Sequence, residues 1–272
     1  MKTKNINKDK RKYPWRGFFI FLGLYLFALG TYYPVMLRQS EIYLNLVGEG
    51  TGYTATQFTL LALIQPLLFG VVAIYGGHRF AQKVGLRSLI NERVEKLEAP
   101  KIKRNTYTLS DSVPFVVLFA VGLALLNVGF DFVFQNWLPA GIQLGAGYGT
   151  IWQALSNVFY NGLAQEILLR WGVMTTLIYV LSSKGKDLNP MIYTVGFIFT
   201  AILYAFSQGS ALSGAGDYTT ILWVRHLLIN ALDGILYGWL YYKFHFEAAA
   251  LSHMLTNVLI VLATSLMATI AG

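Results

Sequence analysis

The chain of 272 residues contains no cysteine, and charged residues make up only 12% of it. The first absence removes disulfides, thiolate zinc sites, iron–sulfur clusters and cysteine nucleophiles. The second argues against an ordinary soluble domain, in which about a quarter of residues are Asp, Glu, Lys or Arg. With 55% hydrophobic residues, disorder and collagen-like repeats are excluded as well. What the chain has instead is a series of apolar runs of about 20 residues, each long enough to cross the ~30 Å hydrocarbon layer of a bilayer.

Seven such runs stand out, at about 15–36, 58–76, 113–134, 151–181, 190–208, 221–242 and 248–270. A chain in hydrocarbon must satisfy its own backbone hydrogen bonds, so runs of this kind are helices. Strands of a membrane barrel would alternate apolar and polar residues, and these runs do not. The predicted fold class is therefore all-α: a polytopic membrane helix bundle of about seven transmembrane helices. Of the 21 basic residues, 18 fall before or at the start of the first run, between the second and third, after the fourth or after the sixth, whereas the intervening loops hold only Arg38. The positive-inside rule then puts the N-terminus in the cytoplasm and the C-terminus outside. This asymmetry accounts for the net charge of +8, which is not read as a nucleic-acid footprint.

The organisation that follows is a basic cytoplasmic tail (1–14) and a single transmembrane domain (15–272). The first run is too long, and its flank of Tyr32, Tyr33 and Pro34 too bulky, for a cleaved signal peptide. Within a cytoplasmic segment at 78–112, Leu86, Ile90, Val94 and Leu97 have helical spacing. They predict an amphipathic helix lying on anionic headgroups, and the pattern fits a soluble linker helix equally. No internal repeat is evident, which weighs against an inverted-repeat transporter.

Ionisable groups at bilayer depth cost at least a few kcal/mol and are functional candidates by default. Asp131, Arg225 and His226 lie near predicted helix ends and read as interhelical ties, and Asp233 reads as structural. His245 looks interfacial, and His78 sits in a basic turn. The fourth run is different. Glu166 and Arg170 are four apart in the favourable acid-first order, so they share one helix face. Asn157, Asn161 and Gln165 form a polar stripe beside them that must face other helices or a wet cavity. On the seventh run His253 and Asn257 again lie one turn apart, either tying helices together or holding a developing oxyanion.

Together these motifs resemble the CPBP family (CAAX protease and bacteriocin-processing, or Abi) of intramembrane proteases over about residues 150–265. Gln165-Glu166-x-x-x-Arg170 is similar to the family's Glu-Glu-x-x-x-Arg, Tyr204-Ala-Phe-Ser-Gln208 to its Phe-x-x-x-His, and His253-x-x-x-Asn257 to its His-x-x-x-Asn. The Gly-rich Leu232–Tyr241 stretch precedes the last motif as in the family. The resemblance implies endoproteolysis of a membrane-associated peptide or protein substrate. In it the first glutamate and the second-motif histidine activate water, and the later His and Asn hold the oxyanion.

Two positions depart from that pattern, because the water-activating pair becomes Gln165 and Gln208. An amide orients a water but cannot take its proton. Three accounts stay open: Glu166 serves as base with Arg170 orienting it; the chain is a non-catalytic relative binding peptide or lipid; or Gln165 replaces a natural glutamate. A membrane transporter is a further alternative, resting on the buried charges alone. No cofactor is expected, and no metal either, since one histidine with an asparagine is a poor zinc set. The expected location is a plasma membrane, of prokaryotic type.

Overall fold

A computed structural model describes residues 13–47, 52–97, 107–137, 149–207 and 220–271. Among these residues the structure is helical, with no strand. The helices are α1 (Trp15–Val47), α2 (Ala55–Phe80), α3 (Leu89–Glu95), α4 (Leu109–Phe134), α5 (Ile151–Ser156), α6 (Thr175–Leu181), α7 (Pro190–Ser207), α8 (Thr220–Lys243) and α9 (Phe246–Ala271). Five stretches are long and apolar enough to cross a membrane: Trp15–Val47, Ala55–Val84, Leu109–Trp137, Pro190–Ser207 and Phe246–Ile270. The two remaining expected spans are helical but hold most of the polar and charged groups. One is α8, and the other is the rod that α5 begins and α6 ends.

Helix starts follow the side chains available to cap them. Thr54 and Gln57 cap α2 reciprocally, as Thr150 and Gln153 do α5, each pair satisfying backbone N–H groups that the first turn leaves free. Away from the core, Leu60, Leu61, Ile64, Leu68 and Val72 of α2 are exposed, the signature of a face that meets lipid tails.

The rod from 151 to 181 is the centre of the molecule, and its turns are not all α. Residues Asn157–Ala164 and Ile167–Met174 are π-helical, with one extra residue per turn. Glycines let neighbours approach it closely. A Cβ at Gly172 would lie 2.7 Å from Cα of Ala73 on α2, and one at Gly162 would lie 3.0 Å from Cα of Met254 on α9.

The predicted amphipathic helix at 78–112 is shorter than its spacing suggests. Gly85 takes a left-handed conformation (φ 71°) and breaks the chain, so Leu86 is buried in a turn and only Leu89–Glu95 is helical. Residues 98–106 lie outside the described residues. The short helix docks on the bundle rather than standing apart. Glu247 of α9 accepts from Ser88 Oγ (2.6 Å) and from the N–H groups of Leu89 and Ile90 (3.0 Å each), while Glu95 accepts from Gly17 N (2.8 Å). Each carboxylate thus sits at the positive end of a helix. Arg87 makes a two-pronged bond to Glu92 at 2.7 Å, which raises its pKa further above the ordinary guanidinium value.

Candidate functional site

The rod carries two constellations on different faces. On the face toward α7, α8 and α9, Glu166 and Arg170 are both 0% exposed and His253 is 2% exposed. His253 Nδ1 lies 2.9 Å from Glu166 Oε1, and Arg170 Nη1 lies 3.4 Å from the same oxygen. Arg170 Nη2 donates to the Gly234 carbonyl at 2.9 Å, so the guanidinium ties α8 to the rod. With the carboxylate accepting, the imidazole proton is on Nδ1 and the lone pair is on Nε2. The Tyr204 hydroxyl sits 3.4 Å from that lone pair. The ring of Tyr237 stacks on the imidazole at 4.3 Å, and its hydroxyl donates to Thr256 at 2.8 Å. Orientation, tautomer and burial of His253 are therefore all fixed by neighbours.

Asn257, 7% exposed, donates through Nδ2 to the Asn157 carbonyl at 2.8 Å, where α turns give way to π turns. It joins α9 to the rod and keeps one amide hydrogen for another acceptor.

The other face of the rod borders a cavity of about 660 Å³ between α1, α2 and the rod. Six carboxamides line it: Gln39, Gln65, Gln153, Asn157, Asn161 and Gln165, with the phenols of Tyr25, Tyr32 and Tyr160. The amides form a ladder, Gln165 Nε2 donating to Asn161 Oδ1 (3.3 Å) and Asn161 Nδ2 to Asn157 Oδ1 (3.0 Å). Tyr32 and Tyr160 stack across the wall at 4.1 Å. Among the described residues no carboxylate, imidazole or cation lines this cavity.

The sequence-predicted residues thus divide. Glu166, Arg170 and His253 meet in one sealed cluster, to which Asn257 is joined through α9. Gln165 faces the cavity, and Gln208 lies outside the described residues. Glu166 is not among the residues that line the cavity. Tyr204, which opens the Tyr204-Ala-Phe-Ser-Gln208 motif, and Tyr237, within the Gly-rich stretch, complete the histidine's surroundings, although neither was singled out as a site residue. Gln65 had one, an amide inside an otherwise apolar run, whereas Gln39 lies past the first run among polar residues, and both are outside the motif-bearing segment.

The remaining polar groups are ties. Asp131 of α4 and Arg225 of α8 form a two-pronged ion pair, and His226 Nε2 contacts the Ala205 carbonyl of α7 at 3.1 Å. Asp233 is buried, and its Oδ1 has no hydrogen-bond partner among the described residues. Two histidines differ from expectation. His78 is buried inside α2, its Nδ1 accepting from Trp171 Nε1 at 3.0 Å, and His245 is 0% exposed, accepting from Ala248 N at 3.1 Å to start α9. Both satisfy a neighbour's N–H that packing has cut off from water. Among the described residues there is no group of three or more His, Asp or Glu arranged to hold a metal ion.

Comparison with known proteins fits this geometry. Residues 147–259 match the family model Rce1-like, described as type II CAAX prenyl endopeptidase Rce1-like. No curated protein and no solved structure matches the chain. The matched segment begins just before α5 and ends just after Asn257, so it contains both halves of the sealed cluster, while α1 and α2, the far wall of the cavity, lie outside it. That match, and the Glu166–Arg170 and His253–Asn257 motifs that meet within it, make this segment of the chain similar to the CPBP family of CAAX-type membrane proteins.

Proposed function

We propose that the protein is an intramembrane endopeptidase of CAAX type that cuts a membrane-associated peptide, with the Glu166–His253 pair as its proton acceptor. The observation that carries this reading is the 2.9 Å contact between His253 Nδ1 and a fully buried Glu166 carboxylate. A carboxylate on Nδ1 orients an imidazole, directs its lone pair to Nε2 and stabilises the imidazolium that forms. In the proposed step a water takes the place of the Tyr204 hydroxyl at Nε2 and adds to a peptide carbonyl, its proton passing to His253. The tetrahedral intermediate then collapses: the C–N bond breaks, and the same proton goes to the leaving amine. The products are a shortened carboxylate and an amine. The second amide hydrogen of Asn257, one turn along α9 from His253, is the donor for the oxyanion in this reading. Gln165 orients the scissile segment or the water and takes no proton. Arg170 is a positioning residue, holding Glu166 in place through its 3.4 Å contact with Oε1.

The test is cleavage of a prenylated reporter peptide by the full chain in lipid nanodiscs. Glu166→Gln and His253→Ala should each lower the rate by about 10²–10⁴, the usual worth of general-base help. Undiminished cleavage by either variant overturns the assignment.

One observation favours a second reading, a non-catalytic relative that binds peptide or lipid: the cavity wall offers carboxamides where a base would stand. On that reading the unaltered protein binds the reporter without cutting it, and Gln165→Glu combined with Gln208→His creates proteolysis.

The seven-span arrangement with a cytoplasmic N-terminus belongs to the same proposal. It is supported by the helicity of α8 and of the rod, and by the clustering of basic residues in alternate inter-run segments of the sequence.

A further inference from the structure

Tyr204 of α7 is 4% exposed, and among the described residues its hydroxyl has a single hydrogen-bond partner, His253 Nε2. That contact, at 3.4 Å, is long for a hydroxyl donor, so little is lost when it breaks. The ring itself is held. It stands edge-on to the imidazole, at 89° with the centroids 5.8 Å apart, and the Arg170 guanidinium lies 5.6 Å from its centre. The same guanidinium contacts Glu166 Oε1 at 3.4 Å and donates to the Gly234 carbonyl at 2.9 Å. One buried cation therefore fixes both the carboxylate that orients His253 and the phenol that faces its lone pair.

A water that binds at Nε2 displaces the hydroxyl from its one partner. A buried donor left unsatisfied costs about 1–3 kcal/mol, so the phenol needs another acceptor close by. The acceptor that arrives with the water is the carbonyl oxygen of the peptide, whose carbon lies about 3–3.5 Å from the attacking water in a near-attack arrangement.

We propose that Tyr204 is a catalytic residue, whose hydroxyl passes from His253 Nε2 to the scissile carbonyl oxygen and holds the oxyanion as it forms. This rests on the peptide-cleaving reading above and adds a second donor beside Asn257. As the water oxygen adds to the carbonyl carbon, the π pair moves onto the carbonyl oxygen and the water's proton goes to Nε2. Tyr204 keeps its own proton throughout and gives only a hydrogen bond. On collapse the pair returns to the C=O bond, the C–N bond breaks, and His253 passes its proton to the leaving amine. The bond from Tyr204 is strongest while the oxygen carries charge, and an interaction of that kind raises kcat rather than ground-state binding. A phenol donates without a charge of its own, so it costs less to seal inside the cluster than a second cation would.

The experiment compares the full chain with Tyr204→Phe, which removes one oxygen and keeps the ring, on the prenylated reporter peptide in lipid nanodiscs. The variant's kcat should fall by about 10²–10³, the usual worth of one oxyanion donor, with KM changed by less than about twofold. A trifluoromethyl ketone built on the same reporter presents a hydrated, tetrahedral carbon in place of the scissile carbonyl. Tyr204→Phe should weaken its inhibition constant by a similar factor relative to KM, a ratio that does not depend on how much of the variant is folded. An unchanged kcat with an unchanged ratio overturns the role of Tyr204. So does a rise in kcat, which would make the hydroxyl a stopper on Nε2, and so does a rise in KM with kcat intact, which would make it a ground-state contact. His253→Ala, measured alongside, separates the two readings. If it lowers cleavage and Tyr204→Phe does not, only the role of Tyr204 falls. If it leaves cleavage undiminished, or if the unaltered chain does not cut, the peptide-cleaving reading falls and takes this role with it.

Discussion

Arg170 has no contact with water, and its Nε and Nη1 have no hydrogen-bond partner among the described residues, so its charge is held by Glu166, the Gly234 carbonyl and the face of the Tyr204 ring. Removing it strands a buried carboxylate. Arg170→Ala should therefore lower unfolding stability by about 3–5 kcal/mol, the usual cost of breaking a buried pair from one side. Thermal unfolding in detergent micelles measures the loss, and an unchanged midpoint would contradict the sealed arrangement. The pairing of Glu166 with Arg170 was legible from their spacing. The pairing of Glu166 with His253 was not, because spacing along one helix says nothing about rotation against another. The same limit hid the division of labour between adjacent residues, Gln165 toward the cavity and Glu166 away from it. The burial of His78 and His245 was masked by their basic neighbours, which place a helix end near water without exposing every side chain on it.

The order and type of the elements were readable from hydrophobic run lengths, and the helix ends fall within about four residues of the predicted limits except in α1, which continues to Val47 where the run was expected to end near 36. The π turns were not readable. They arise from how the rod meets its neighbours, and no residue in Asn157–Met174 announces them. Close approach along the rod can be tested by substitution. At Gly172 a side chain would collide with the backbone of Ala73, whereas Cβ atoms at Gly23 of α1 and Gly122 of α4 meet nothing within 4 Å. Gly172→Val should cost about 1–3 kcal/mol by overpacking. Gly23→Val and Gly122→Val should leave stability within about 0.5 kcal/mol, as surface changes usually do. The tie between α4 and α8 makes a second element-scale prediction. Asp131→Ala and Arg225→Ala should each destabilise, and the double variant should cost less than their sum, with a coupling of about 0.5–3 kcal/mol in a double-mutant cycle.

For the molecule as a whole, the proposed orientation is open to direct measurement because the chain has no native cysteine. Single substitutions Glu41→Cys and Lys184→Cys place one thiol near each end of the bundle. In right-side-out vesicles a membrane-impermeant maleimide should label the first and spare the second, and inverted vesicles should reverse the result. Labelling of both from the same side would remove the seven-span arrangement. The basic clusters in the sequence are what this proposed topology rests on. The cavity was not, since half of its wall comes from α1 and α2, which hold none of the recognisable motifs.

The two faces of the rod have one practical consequence. The groups that would do the chemistry are roofed by tyrosines, and the groups that would grip a ligand belong to a different surface, so damage to the first need not reach the second. An enzyme disabled at His253 should then act as a trap that seizes its natural targets and cannot let them go by cutting them. Recovering what such a trap retains from native membranes, and reading the peptides by mass spectrometry, would reveal the physiological cargo without any prior guess at its identity.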